Sequence, residues 1–350
     1  MAAAVVVVAV SAVIFAAHSD PSSVSGPPVD PKHLPVIEPA PALDAKGWIN
    51  SPPLTPKDLS GKVVLYDFWT YSCINCQRTM PYLRSWFDRY RADGLVIVGI
   101  HSPEFDFEKV HKNVQAAVKR LDVTWPIALD DNMKIWDAFQ NNSWPADYFA
   151  DRQGRIRHTH IGEGDYTEAE NIIRELLGVA ATAPRAARVV NGEVASSAEI
   201  NPETYLGTLR AGEQPWTSIR AGSHDYPSSS AVSLVAPRAA LLGRWTATAE
   251  YVRSDRTAAS ILLGMHAQAV NLVMATATGK PLEVLVELDG RPIPAADRGA
   301  SVHEDGNGRT VVTVRASDMY RIVRSSTVGD HVLTVAAPGP GLEAYAFTFG

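Results

Sequence analysis

Cysteine is nearly absent from this 350-residue chain. It has two, Cys73 and Cys76, separated by Ile74 and Asn75. A structural disulfide framework needs more cysteines spread along the chain, so that class is excluded. A four-ligand zinc site lacks partners as well. His158 and His160 project from one face of a strand pattern, yet no other Cys or His lies near them at ligand spacing, and they read as a solvated strand edge. Clustered basic charge is also missing. The formal charge is −6 and no Lys/Arg block occurs, which excludes nucleic acid as a partner. No metal or cofactor is expected.

The apolar run from Ala2 to Ala17, broken only by Ser11, has no positive charge ahead of it. It spans roughly 24 Å as a helix, short of a bilayer core of roughly 30 Å. Three readings of residues 1–19 stay open: a weak signal peptide, an uncleaved anchor, or the end of a membrane segment that begins upstream. All three export the downstream domains, so the expected location is extracytoplasmic, in the periplasm or at the cell surface. Residues 20–45, with Gly26-Pro27-Pro28 and Pro31, read as an extended tether.

What is present is globular. Hydrophobic residues make up 46% and charged residues 20%, and the length suits two domains. Val63 to Trp69 is an apolar, β-rich run, as expected of a strand buried on both faces of a parallel sheet. After Thr70-Tyr71-Ser72, Cys73 opens a helix in which Met80, Leu83, Phe87 and Tyr90 form one apolar stripe. Asp93-Gly94 ends it, and Leu95–Ile100 is the next buried strand. A strand near 127–129, a helix over 131–139, strands at 147–150 and 155–161 and a helix over 167–177 complete an α/β layer pattern for residues 46–180.

The position of Cys73 carries the chemistry. A helix N-terminus presents unsatisfied N–H groups and partial positive charge, which favour a thiolate. Cys73 is therefore the nucleophile that attacks a substrate disulfide, and Cys76, one turn on and more buried, resolves the mixed disulfide. A spacing of three puts both sulfurs on one helix face, close enough to bond. Cys-x-x-Cys after a buried strand and at the head of an amphipathic helix is a strong redox signal.

Several blocks resemble a known family. Asp67-Phe68-Trp69 before the cysteines, Cys73-Ile74-Asn75-Cys76 and Pro81 resemble thioredoxin, as do Trp144-Pro145 and the strand directly after them. Asp67 through Cys76, His101-Ser102-Pro103-Glu104-Phe105 and Gly162-Glu163-Gly164-Asp165-Tyr166 are similar to the thioredoxin-like (TlpA-like) domain of DipZ-type proteins. The resemblance implies that Pro145 is the cis-proline beside the sulfurs, that Asp67 is the buried proton acceptor for Cys76, and that Trp69 and Trp144 wall the substrate site. Glu104 is a second acid candidate. Ile74-Asn75 replaces thioredoxin's Gly-Pro and Ser72 its Trp, so redox direction does not transfer.

Residues 181–235 are rich in Ala, Ser and Pro and read as a connector, with Asn201–Gly207 resembling the start of the DipZ carboxy-terminal domain. Over 236–350 short strand-like runs alternate with turns: Trp245–Val252, Ala269–Ala275, Leu282–Leu288, Thr310–Val314 and His331–Ala336. That rhythm predicts an all-β sandwich. The resemblance makes it a jelly roll like carbohydrate-binding modules, with a carbohydrate as possible ligand. Trp216, Trp245, Tyr251 and Tyr320 are its candidate stacking aromatics, each read first as packing.

The function expected is an extracytoplasmic thiol–disulfide oxidoreductase acting on disulfide-containing proteins, on the reductant side. The resemblance implies a membrane setting related to cytochrome c biogenesis and a CcdA-like membrane electron donor that resets the pair. Two alternatives are a thiol peroxidase and a glycan-binding module with an accessory thioredoxin domain.

Overall fold

A computed structural model describes residues 34–189, 200–211, 214, 217–227, 234 and 236–350. The expected segment 1–19, most of the tether and Trp216 lie outside the described residues. Among those described, no helix is long and apolar enough to cross a membrane.

The first unit holds strands β1 (Glu38–Pro39), β2 (Gly47–Ile49), β3 (Val63–Trp69), β4 (Leu95–His101), β5 (Ile127–Leu129), β6 (Ala146–Ala150) and β7 (Arg155–Ile161). Its helices are α1 (Pro56–Leu59), α2 (Ile74–Tyr90), α3 (His111–Arg120), α4 (Lys134–Ala138) and α5 (Tyr166–Leu177). The sheet runs β1-β7-β6-β3-β4-β5-β2. Only β3–β4 and β4–β5 are parallel; the remaining pairs are antiparallel. The expected parallel sheet is therefore a mixed one, because β6 and β7 form a hairpin that a short turn at Gly154 can close only antiparallel.

Alternation sorts the two faces. Val63, Leu65 and Trp69 join α2, α3 and α5 in one core, while Val64, Tyr66 and Phe68 pack with α4 and α1 in another. Every residue of β3 is buried, which explains why it reads as a continuous apolar run. Helix α2 ends at Tyr90; a 3-10 turn over Arg91–Asp93 comes next, and Gly94 leaves it at φ 104, the left-handed geometry that glycine tolerates.

Two expectations about boundaries shift. Residues 38–39, expected in the tether, form an edge strand, where proline is tolerated because its missing N–H faces no ladder. In the expected connector, β8 (Thr204–Tyr205), α6 (Thr208–Ala211) and β9 (Gly222–Tyr226) belong to the second unit, since β8 pairs with its last strand and β9 with its next one.

That unit is all-β. It continues with β10 (Ala239–Ala247), β11 (Val252–Ser254), β12 (Ala259–Thr276), β13 (Leu282–Leu288), β14 (Arg291–Pro292), β15 (Val302–Glu304), β16 (Thr310–Val314), β17 (Asp318–Ala337) and β18 (Leu342–Phe349). The run 245–252 breaks into β10 and β11, and the runs 269–275 and 331–336 are halves of β12 and β17. Register shifts near Ala267 to Asn271 bend β12, which pairs β10 before the bend and β18 after it. The strands wrap one apolar cluster containing Trp245, Ile261, Leu272, Val286, Leu333 and Phe347. Trp245 is thus a core residue, and Tyr251 packs 5.0 Å from Tyr345. The Tyr320 hydroxyl donates to Ala316 O.

The two units share an interface beside the cysteines. Ile74 and Phe105 from the first unit bury themselves with Val273, Met319, Tyr345 and Ala346 from the second. Phe105 and Phe107 lie 5.1 and 4.9 Å from Tyr345. Polar ties surround this cluster: Tyr71 donates to Ser317 O at 3.1 Å and Arg120 pairs with Asp318 at 2.7 Å.

Candidate active site

Strand β3 ends at Trp69, and Thr70-Tyr71-Ser72 turn the chain into α2. Cys73 is the N-cap residue of that helix, in extended backbone geometry, and its Sγ accepts from the Cys76 amide at 3.2 Å. The two sulfurs are 2.6 Å apart and both cysteines are free. Cys73 is half-buried and Cys76 fully buried. Burial, and next the contact with Cys73, push the Cys76 thiol well above its ordinary value. One sulfur at the surface and one held beneath it is the arrangement that attack followed by resolution requires.

Asp67 sits under the pair, fully buried, with neither carboxylate oxygen hydrogen-bonded. Burial raises its pKa well above the usual aspartate value and the neighbouring Asp147 raises it further. The Trp144–Pro145 peptide bond is cis, as the resemblance implied, and Pro145 O accepts from Gly162 N at 2.8 Å. Trp144 is half-buried; its ring lies 4.2 Å from that of Trp136 and its Nε1 donates to Ser102 O at 3.0 Å. Trp69 does not wall the site. It is 0% exposed, edge-on to His101 within the core, because the alternation of β3 turns residue 69 inward beneath α2.

Glu104 is not a free acid beside the sulfurs either. It pairs with Arg210 of α6 and accepts from Tyr205 Oη at 2.7 Å, so it belongs to the interface. The Arg210 guanidinium lies 6.0 Å from the Trp144 ring, so the second unit reaches the rim of the site.

Sequence reasoning missed two buried groups. Glu108 is fully buried and accepts from Ser72 Oγ at 2.6 Å, Glu104 N at 2.7 Å and Phe105 N at 3.1 Å. Burial, then Glu104, push its carboxyl up to about 7. His101 is also fully buried, stacks on Tyr71 at 5.8 Å, and is held neutral by burial with a pKa lowered to about 3. The two residues close a single loop after β4, and spacing alone does not show that this loop folds back on Ser72. Among the described residues, no group of three or more His, Cys, Asp or Glu is placed to hold a metal ion.

Comparison with known proteins agrees with this geometry. Residues 36–159 match the AhpC/TSA family and residues 201–350 match the thioredoxin like C-terminal domain. Protein DipZ of Mycobacterium bovis is 36% identical over 315 residues, 87% of this chain and 41% of that protein. Thiol-disulfide oxidoreductase YkuV of Bacillus subtilis is 29% identical over 141 residues, 40% of this chain and 95% of its own. A solved thioredoxin-like protein in its oxidised form is 31% identical over 40% of this chain and 95% of its own, with a TM-score of 0.38. The chain spans about two-fifths of the length of the DipZ proteins it matches. With both domains matched in order and the cysteine pair at the head of α2, the chain is a DipZ-like pairing of a thioredoxin-like domain with a thioredoxin like C-terminal domain.

Proposed function

We propose that this chain is an extracytoplasmic protein-disulfide reductant, reset after each turnover by a CcdA-like membrane electron donor. The observation that carries the redox reading is the half-buried Cys73 sulfur at the N-cap of α2, with Cys76 Sγ 2.6 Å beneath it. The Cys73 thiolate attacks one sulfur of a substrate disulfide, and the other substrate sulfur leaves as a thiolate. Cys76 then gives its proton to Asp67 and attacks Cys73 Sγ, which releases the second substrate thiol. One pair moves two electrons, so a separate donor must restore the dithiol. Trp144, Pro145 and the rim residue Arg210 form the surface a substrate peptide meets.

The reductant direction and the exported location rest on the likeness to DipZ-type proteins and on the apolar amino-terminal run. The test is the reduction potential of the pair, equilibrated against dithiothreitol or glutathione buffers. A value near or below about −250 mV, on the thioredoxin side of the scale, supports an electron donor. A value near about −120 mV identifies an oxidant and removes the need for a membrane reductant. Peroxide consumption faster than disulfide reduction would favour the thiol peroxidase instead.

A further inference from the structure

One row across the first sheet is ionisable where its neighbours are apolar. Asp67 on β3 stands directly opposite Asp147 on β6, and Asp147 directly opposite His160 on β7. On its other side Asp67 faces Gly99 of β4. A Cβ there would meet Ile127 Cδ1 at 2.5 Å and Trp69 Nε1 at 2.9 Å, so β4 has no room for a charged partner. The row shares the face of Leu65, Trp69 and Phe149, the face covered by α2 and α5.

Burial falls along the row. Asp67 is 0% exposed, Asp147 8%, and His160 is half-buried on β7, beyond the two residues that β1 covers. Both oxygens of Asp67, Oδ1 of Asp147 and Nε2 of His160 are buried without hydrogen-bond partners. Buried polar atoms without partners are uncommon in native structures, and ordered water or a catalytic role are among the reasons for them. The titratable groups facing the row are Cys76 and Cys73 from α2, His158 from β7, and Asp165 and Glu168 at the start of α5. The last two face His160 and favour its protonated form, against the burial that lowers it.

We propose that Asp147 and His160 carry the proton that Asp67 takes from Cys76 out to solvent at the β7 edge of the sheet. This rests on the oxidoreductase reading above. In the resolving step the Cys76 proton passes to the Asp67 carboxylate and the Cys76 electron pair forms the Cys76–Cys73 bond. The Cys73–substrate bond breaks, and its electron pair leaves on the substrate sulfur. Asp67 then hands its proton to Asp147, Asp147 to His160, and His160 to water, which restores the Asp67 carboxylate. Each transfer takes a hydrogen bond or one bridging water, reached by rotation of the unpartnered side chains. Re-reduction runs the row in reverse.

The test tracks fully reduced protein as excess oxidised glutathione converts it to the intramolecular disulfide, from pH 5.5 to 9, by quenching and thiol alkylation. Asp147→Asn is expected to slow the resolving step about tenfold in dilute buffer. Added imidazole, a diffusible proton carrier, is expected to restore it, and Asp147→Glu to keep most of the rate. His160→Gln, at a half-buried position, is expected to show the same slowing and rescue. A shifted pH midpoint with an unchanged plateau and no imidazole effect would reduce Asp147 to an electrostatic neighbour and overturn the relay. Wild-type rates in both variants would overturn it too. Failure of the wild-type protein to form any mixed disulfide would sink the oxidoreductase reading itself, and the relay with it.

Discussion

The Ser72 hydroxyl, one residue before Cys73, donates to Glu108 Oε1 at 2.6 Å. Through Glu104 N and Phe105 N the same carboxyl gathers the loop after β4, so the cysteine turn and that loop are held as one piece. Phe105 lies in this loop and reaches Tyr345 of the second unit. The turn that carries Cys73 and the docking of the second domain are therefore joined through one chain of contacts.

Ser72→Ala removes the shortest of these bonds and leaves a buried carboxyl short of a donor, at a cost of about 1–3 kcal/mol. The expected outcome is a lower denaturation midpoint together with reduced kcat/KM for disulfide reduction. Ser72→Thr, which keeps the hydroxyl, recovers part of both. Unchanged kinetics in Ser72→Ala would show that the bond does not position Cys73.

Cys76→Ser leaves the attacking sulfur and removes the resolving one. The variant is expected to accumulate a stable mixed disulfide with substrate, visible on a non-reducing gel and by mass spectrometry. Cys73→Ser forms none. Trapping through Cys76 instead would reverse the roles that burial assigns.

The stability that Asp67 and Asp147 contribute is expected to fall as pH rises through their titration. Burial raises Asp147 to about 7 and holds Asp67 well above the ordinary 3.8. Between those values the unfolded chain has released both protons while the folded protein still holds them, so the contribution of these two acids is fullest below about pH 4 and declines toward pH 7 and beyond. The double variant Asp67→Asn with Asp147→Asn is expected to gain on the order of 2 kcal/mol or more at pH 8 and nothing near pH 4. Urea unfolding at pH 4, 6 and 8 measures this, and a gain independent of pH would contradict it.

Phe105→Ala empties a site packed against Phe107 and Tyr345, at a cost of about 3–5 kcal/mol. Because that contact joins the two units, denaturant unfolding of the variant is expected to separate into two transitions, the thioredoxin-like domain and the β domain, and that of the wild-type to run as one. A single transition at a lower midpoint would mean that the polar ties suffice for docking.

Much of the redox centre was legible in the residues. An all-buried strand such as β3 reads as an unbroken apolar run, the stripe in α2 repeats at helical spacing, and the two cysteines stand one turn apart at its head. These are local consequences of chain geometry. Trp144-Pro145 and Asp67 became legible only through resemblance, since neither spacing nor composition says that a proline is cis or an aspartate buried.

Tertiary structure decided the rest, because register and burial join residues far apart in sequence. Trp69 reads like a site wall until the alternation of β3 places it under α2. Glu104 reads like a second acid until α6 of the other domain brings Arg210 to it. The opposition of Asp67, Asp147 and His160 depends on a strand order of β3-β6-β7, which no local pattern specifies. The spacing of residues 73–76 sets the two thiols one helical turn apart by local geometry alone, whereas the packing of β6, β7 and the second domain around them is fixed by contacts between residues far apart in the chain.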